Sequence, residues 1–244
     1  CGDAKQVAQQ ILDKLSSDAG NTGREERKNL IHKTKSAWLQ TLSGLDHEED
    51  DPGTVWNKEA RERDKDRMSP RQAWRAIQDA LPQDAIISSD IGNNCAIGNA
   101  YPTFEKPRKY LAPGLFGPCG YGFPAILGAK IGCPDTPVVG FAGDGAFGIS
   151  MNEMSSCARE EWPAITMVIF RNYQWGAEKR NSILWFDDNF VGTELDPELS
   201  YAKVANACGL KGVTCKTMEE TTKAIKQSCD CLLYTSPSPR DEQS

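Results

Sequence analysis

Two apolar runs stand apart from the rest of the chain, Pro137-Val138-Val139-Gly140-Phe141-Ala142 and Ile165-Thr166-Met167-Val168-Ile169-Phe170. Neither alternates polar with apolar positions, so each predicts a strand covered on both faces of a parallel sheet. Residues 148–160 between them suit a crossover helix, completing a right-handed βαβ unit of roughly 30 residues. Upstream, Met68-Ser69-Pro70 marks a helix start, with Ser69 as cap and Pro70 at the first helical position, and Ala73, Ile77 and Leu81 form its inner face. Residues 84–89 predict a first strand, and Asp90-Ile91-Gly92-Asn93-Asn94 the turn at its carboxyl end. Past the second run, residues 173–195 show little periodicity and predict a loop hung from a strand end, a natural lid or substrate wall. Residues 199–207 and 219–228 then predict helices around a weak strand at 212–215. The expected fold class is α/β, a parallel sheet with helices on both faces.

The amino-terminal pattern differs. Residues 5–16 and 24–43 predict two helices, the second with Leu30, Ile31, Trp38, Leu39 and Leu42 on an apolar stripe. Residues 46–67 then carry 14 charged side chains in 22 positions, too polar to bury a core, which predicts a solvated connector. A new domain is expected from residue 68 to about 228. The chain opens at Cys1, inside what reads as a strand-to-helix junction, so an amino-terminal part is expected to be missing. From Cys229 the periodicity stops, and residues 229–244 read as a non-native, adapter-derived tail that truncates the domain.

Charge and cysteine usage narrow the function classes. The net charge of −6, from 28 basic and 34 acidic residues, forms no basic patch and argues against a nucleic-acid partner. No apolar stretch approaches 18 residues, so no membrane partner is expected. The nine cysteines lack CxxC or metal spacing and read as reduced thiols of a cytoplasmic protein. His32 and His47 fall outside the expected site, and neither reads as catalytic.

The chemistry centres on Gly143-Asp144-Gly145 and on Asn172, 28 positions after Asp144. A Gly-Asp-Gly by itself is an ordinary strand-to-helix turn. With an Asn closing the next buried strand, it places two hard oxygen donors at neighbouring strand ends, where open α/β sheets bind ligands. A backbone carbonyl just past the strand, that of Gln174, supplies a third oxygen for Mg²⁺, which keeps phosphate and water in its other positions. Gly143 and Gly145 would let the backbone approach phosphates, and the following helix start offers free N–H groups.

These residues carry a resemblance. Gly143-Asp144-Gly145-Ala146-Phe147 through Arg171-Asn172-Tyr173-Gln174-Trp175-Gly176 resembles the cofactor motif of thiamine diphosphate enzymes. Residues 90–94 and 114–124 resemble the diphosphate-binding domain of the acetolactate-synthase-like branch. Residues 145–153 and 172–181 are most similar to its sulfoacetaldehyde acetyltransferase group, and the resemblance covers roughly residues 1–228. It implies a thiamine diphosphate-binding fold over 68–228, the end of a middle domain over 1–45, and the charged linker 46–67 between them. It implies Mg²⁺ on Asp144, Asn172 and Gln174. The cofactor would contact Gly92, Asn93, Asn94, a wall of Gly117, Pro118 and Cys119, then Gly143, Gly145, Ala146, Trp175 and Gly176. Cys119 stands where relatives often carry a methionine, and packing suits it better than redox chemistry.

The implied reaction converts sulfoacetaldehyde and phosphate to acetyl phosphate and sulfite, with the cofactor as electron sink. Lys179 and Arg180 are candidate cations for the sulfonate or phosphate. The glutamate that activates the cofactor is expected from the missing amino-terminal domain of a partner subunit. This chain therefore holds no catalytic residue and is expected to be inactive alone, the intact protein forming dimers or tetramers. Two alternatives remain open: a pyruvate-using enzyme of the acetolactate synthase type, and a non-catalytic domain that keeps the fold.

Overall fold

Four strands, β1 Ile86–Ser89, β2 Tyr110–Leu111, β3 Val138–Gly143 and β4 Thr166–Phe170, form a fully parallel sheet in the order β2-β1-β3-β4. The computed structural model describes residues 3–15, 23–47, 68–104, 106–107, 109–159, 162–187, 189 and 191–230. Most of the expected connector and of the expected tail, residues 48–67 and 231–244, lies outside them.

Register explains why both apolar runs lack alternation. Ile86 pairs with Val138 and Gly140 with Met167, so Ile86, Val138, Ala142, Met167 and Ile169 point to one face. There they meet Phe123, Ile126 and Leu127 of a helix at Gly122–Gly132, here α5, together with Phe147 and Tyr201. The other face carries Val139, Phe141 and Phe170. A helix at Pro70–Ala80, α3, covers it, with the Trp74 ring 4.6 Å from Phe141 and 5.2 Å from Phe170. A last helix, α10 at Met218–Asp230, packs beside α3: Thr222 Oγ1 donates to the Ala76 carbonyl, and Ser228 Oγ lies 2.6 Å from Thr166 Oγ1. Helices on both faces thus leave no solvated side to β1 or β3, as all-parallel sheets require.

The start of α3 follows the expectation closely. Ser69 Oγ accepts the Gln72 N–H at 3.1 Å while Gln72 Oε1 accepts the Ser69 N–H at 2.9 Å, a reciprocal capping box with Pro70 inside it. Its inner face, however, centres on Trp74 and Ile77, 1% and 0% exposed, and Leu81 is the half-buried carboxyl cap. Truncating a ring buried this fully costs about 3–5 kcal/mol.

Other elements depart from expectation for identifiable reasons. The helix after β3, α6 at Asp144–Ser150, begins at Asp144 and not at 148, because Gly143 already serves as its amino cap. It gives way to a 3₁₀ turn at Met151–Glu153 and a short α7 at Met154–Cys157, so one expected crossover helix is three pieces. Residues 176–185, expected as loop, form α8, Gly176–Trp185, none of whose residues is buried. With no face to bury, that segment had no apolar period to read. No strand forms at 212–215: Asn206 captures the Gly212 N–H at 2.8 Å and its carbonyl at 3.2 Å, taking the groups a ladder would use. Helices α4, Asn93–Gly98, and α9, Tyr201–Ala207, complete the set.

The chain forms two compact units, Cys1–Asn57 and Lys58–Ser244, divided within the charged segment. In the first, α1 at Ala4–Lys14 is capped by Asp3, whose Oδ1 accepts the Lys5 and Gln6 N–H groups at 3.0 Å. The stripe expected on α2, Arg24–His47, is buried only at Leu42; Leu30, Ile31, Trp38 and Leu39 are exposed. Among the described residues of this unit no sheet lies beside it to cover them. No described helix is long and apolar enough to cross a membrane.

Candidate functional site

Parallel strands place all their carboxyl ends on one edge, and the segments that carry the candidate chemistry hang from that edge. The turn 90–94 follows β1, the glycine-rich stretch 114–122 follows β2, Asp144 follows β3, and Asn172 follows β4.

Asp144 is 3% exposed, with its carboxylate held by backbone alone. Oδ1 accepts the Gly145 N–H at 3.0 Å, and Oδ2 accepts those of Asn172 at 3.2 Å and Tyr173 at 2.7 Å. Bringing both of the latter onto one oxygen requires Tyr173 at φ 61°, a left-handed conformation that costs a non-glycine residue about 1 kcal/mol or more. Burial pushes the Asp144 carboxyl above its ordinary value, against the opposing pull of the N–H groups of Tyr173, Gly145 and Asn172.

Beyond these donors, Asp144 faces the Asn172 amide. That amide sits between two acceptors, its NH₂ donating to Asp144 Oδ1 at 3.2 Å and to the Gln174 carbonyl oxygen at 2.9 Å. Asp144, Asn172 and Gln174 thus form one hydrogen-bonded group, and with the amide turned over its oxygens are the hard donors that Mg²⁺ takes. Among the described residues no group of three His, Cys, Asp or Glu forms an alternative metal cluster.

The turn after β1 is built around a residue to which sequence reasoning assigned no role. Asp90 is fully buried, and its carboxylate accepts the N–H groups of Ile91 at 2.8 Å, Gly120 at 3.1 Å and Gly122 at 2.7 Å. It thereby fastens the glycine-rich stretch to the end of β1. The available signal was a carboxylate closing a buried strand, the same signal that picks out Asp144. Gly92 caps α4 at φ 136°, Asn93 is exposed, and Asn94 is buried with its Nδ2 donating to the Asp90 carbonyl at 3.4 Å. Gly117, Pro118 and Cys119 reach the same edge, Cys119 packing against the core. Burial, then Asp90, then Glu178 push its thiol pKa up, which keeps it protonated and suits a packing role.

Gly145 serves a neighbour more than a free space. A Cβ there would lie 2.8 Å from the Trp175 ring, so the indole occupies the volume expected to admit phosphate. A Cβ on Gly176 would lie 2.7 Å from Asn172 Nδ2 and 3.0 Å from Asn93 Nδ2, which shows how closely the β1 and β4 turns approach. Ala146 is buried in the core cluster at the start of α6. Of the two candidate cations, Lys179 is ion-paired to Glu194, and Arg180 is exposed. Two supports of the site escaped sequence reasoning: Tyr201, whose OH donates to the Asp144 carbonyl at 2.7 Å, and Arg171, whose Nη2 donates to the Pro197 carbonyl at 2.8 Å.

Known proteins match this arrangement. The family model described as "Thiamine pyrophosphate enzyme, C-terminal TPP binding domain" matches residues 90–235. The chain is 74% identical over 230 residues to a "Probable sulfoacetaldehyde acetyltransferase" of Rhizobium meliloti (strain 1021), spanning 94% of this chain and 39% of that protein. It is 72% identical to the "Sulfoacetaldehyde acetyltransferase" of Roseovarius nubinhibens, spanning 93% and 38%. An "Acetolactate synthase" of Mycobacterium bovis is 27% identical over 66% of the chain. The chain thus spans about two fifths of the length of these first relatives. Among solved structures, the Rhodococcus jostii RHA1 thiamine diphosphate-dependent 4-hydroxybenzoylformate decarboxylase shares the fold, with a TM-score of 0.63 and 24% identity over 68% of this chain and 31% of that one. The family model matches more than half of the chain, and the chain belongs to the thiamine pyrophosphate enzymes.

Proposed function

We propose that this chain is the carboxyl-terminal part of a sulfoacetaldehyde acetyltransferase, an enzyme that converts sulfoacetaldehyde and phosphate to acetyl phosphate and sulfite with thiamine diphosphate and Mg²⁺. The observation that carries the reading is the grouping of Asp144, Asn172 and the Gln174 carbonyl at the strand ends, where the Asn172 amide bridges the other two. The substrate follows from the 74% and 72% identity to the two relatives, against 27% to the acetolactate synthase.

Bound thiamine diphosphate would supply a carbanion that adds to the aldehyde and an electron sink for loss of sulfite. This chain's own part is positional. Asp144, Asn172 and Gln174 would hold the cation that neutralises the diphosphate. The turn Gly92-Asn93-Asn94 would offer the diphosphate N–H and amide donors, and Ala146 an N–H at the helix start, the Gly145 N–H being bonded to Asp144 Oδ1. Gly117, Pro118 and Cys119 would wall the site, with Trp175 and Gly176 closing the opposite side. Arg180 is the candidate for the substrate anion; Lys179 joins it only on leaving Glu194. The activating glutamate would come from the part of the protein outside this chain, in a dimer or tetramer.

The test is sulfite release by the full-length enzyme from sulfoacetaldehyde, with and without phosphate, thiamine diphosphate and Mg²⁺. The expected result is release that needs both cofactors and yields acetyl phosphate. Acetolactate from pyruvate, without sulfite release, would keep the cofactor site and overturn the substrate.

A further inference from the structure

Resting on that cofactor reading, the geometry points to Arg171 as a positioning residue for the cation site, acting through the strap formed by residues 193–199. Gln174 can offer its carbonyl to a cation only if that carbonyl is turned away from other donors. An isolated antiparallel bridge between Gln174 and Glu194 does this. The Trp175 N–H donates to the Thr193 carbonyl at 2.7 Å, and the Leu195 N–H donates to the Tyr173 carbonyl at 2.9 Å. Both ladder bonds thus fall on the residues flanking Gln174. In such a pair the central residue's own N–H and C=O point away from the partner strand. The Gln174 carbonyl accordingly faces Asn172 and, past it, Asp144.

The strap needs an anchor, because one bridge of two hydrogen bonds is a weak hold on an exposed segment. Arg171 provides it from the residue before Asn172. Its Nη2 donates to the Pro197 carbonyl at 2.8 Å and to the Leu199 carbonyl, and its guanidinium lies 4.4 Å from the centre of the Tyr173 ring. Lys179 and Glu194 add an ion pair across α8 and the strap. From Leu199 the chain enters α9, where the Tyr201 OH holds the Asp144 carbonyl. Arg171 therefore stands between two routes to the ligands: through the bridge to Gln174, and through Tyr201 to Asp144. A lysine would carry the same charge and could donate to the same carbonyls, but it lacks the flat guanidinium that lies over the Tyr173 ring.

The experiment measures Mn²⁺ affinity by electron paramagnetic resonance on the full-length enzyme in the presence of thiamine diphosphate. Arg171→Met, which keeps an apolar stem against Tyr173, is expected to raise the Mn²⁺ dissociation constant about tenfold, the effect of losing a residue that orients a ligand. Arg171→Lys is expected to fall between wild type and Arg171→Met, and it carries the test alone if the methionine variant does not fold. At saturating Mn²⁺ the aldehyde KM is expected to stay at its wild-type value, which separates positioning of the cation from contact with substrate. Folded variants with wild-type Mn²⁺ affinity would overturn this inference while leaving the cofactor site in place. Wild-type enzyme that binds no Mn²⁺ would overturn the cofactor reading and this one with it.

Discussion

Asp90 and Asp144 close adjacent strands of one sheet, β1 and β3, and both are sequestered, at 0% and 3% exposure. Each carboxylate accepts three backbone N–H groups: those of Ile91, Gly120 and Gly122 in one case, and of Gly145, Asn172 and Tyr173 in the other. They differ in what else surrounds them. Around Asp90 the neighbours given by the structure are donors, so its charge is spent on fastening one loop to one strand. Beside Asp144 stands the Asn172 amide, which donates to its Oδ1 and to the Gln174 carbonyl. An amide can turn over and present its oxygen instead, so a cation there would find three oxygen donors. Residue type, strand position and burial are shared; the neighbouring amide and carbonyl are what suit Asp144, on the proposed cofactor reading, to hold a cation.

Substitution should split the pair. The largest effect is expected from Asp90→Ala, which leaves three buried N–H groups without their acceptor and should lower unfolding free energy by about 4 kcal/mol. Urea denaturation checks it, and a loss below about 1 kcal/mol would mean that the loop holds itself in place. Asp144→Asn should do the opposite in kind. It removes a buried charge and keeps one acceptor oxygen for the Asn172 and Tyr173 N–H groups, while its NH₂ faces the Gly145 N–H, so the melt should fall by less than for Asp90→Ala. Mn²⁺ affinity should drop about a hundredfold, equivalent to about 2.7 kcal/mol. If the melt collapses and cation affinity persists, the two aspartates have the same structural role.

The raised Asp144 pKa sharpens the contrast further. Because burial favours the protonated form, cation affinity is present above that raised value and is lost as the pH falls through it, earlier than for an exposed carboxylate. For folding the sign reverses: the group's contribution is present below the ordinary carboxylate range and is lost as the pH rises through the folded-state value. A pH series of Mn²⁺ titrations against a pH series of melts reads both, and parallel curves would contradict the assignment. The smallest effect is expected at Tyr201→Phe, which deletes one hydroxyl donor to the Asp144 carbonyl and should cost about 1 kcal/mol in the melt.

The strand ends that carry the candidate site were legible in the chain. Asp144 and Asn172 could be found because apolar runs without alternation announce buried strands, and polar residues that end such runs must have a use. The Ser69-Pro70 helix start was legible because capping chemistry is local. The helical state of 176–185 was not, since α8 buries no residue and so carries no period. Nor was the fate of 212–215, where a strand-like stretch lost its ladder groups to Asn206, a contact that depends on how α9 is placed. Asp90 was visible as a strand-ending carboxylate, but nothing local showed that its partners would be glycines 30 and 32 positions away.

By itself the sequence determined that 84–89 and the two apolar runs are strands, where α3 begins, and that hard oxygen donors close neighbouring strands. These follow from local backbone preference and from the cost of leaving apolar or polar groups in the wrong medium. Only the tertiary structure decided which of two buried aspartates has the Asn172 amide and the Gln174 carbonyl beside it. It also decided that a distant strap turns the Gln174 carbonyl toward that amide, and that Trp175 fills the space beside Gly145. Those outcomes depend on directions and distances between residues far apart in the chain, which side-chain type and spacing do not encode.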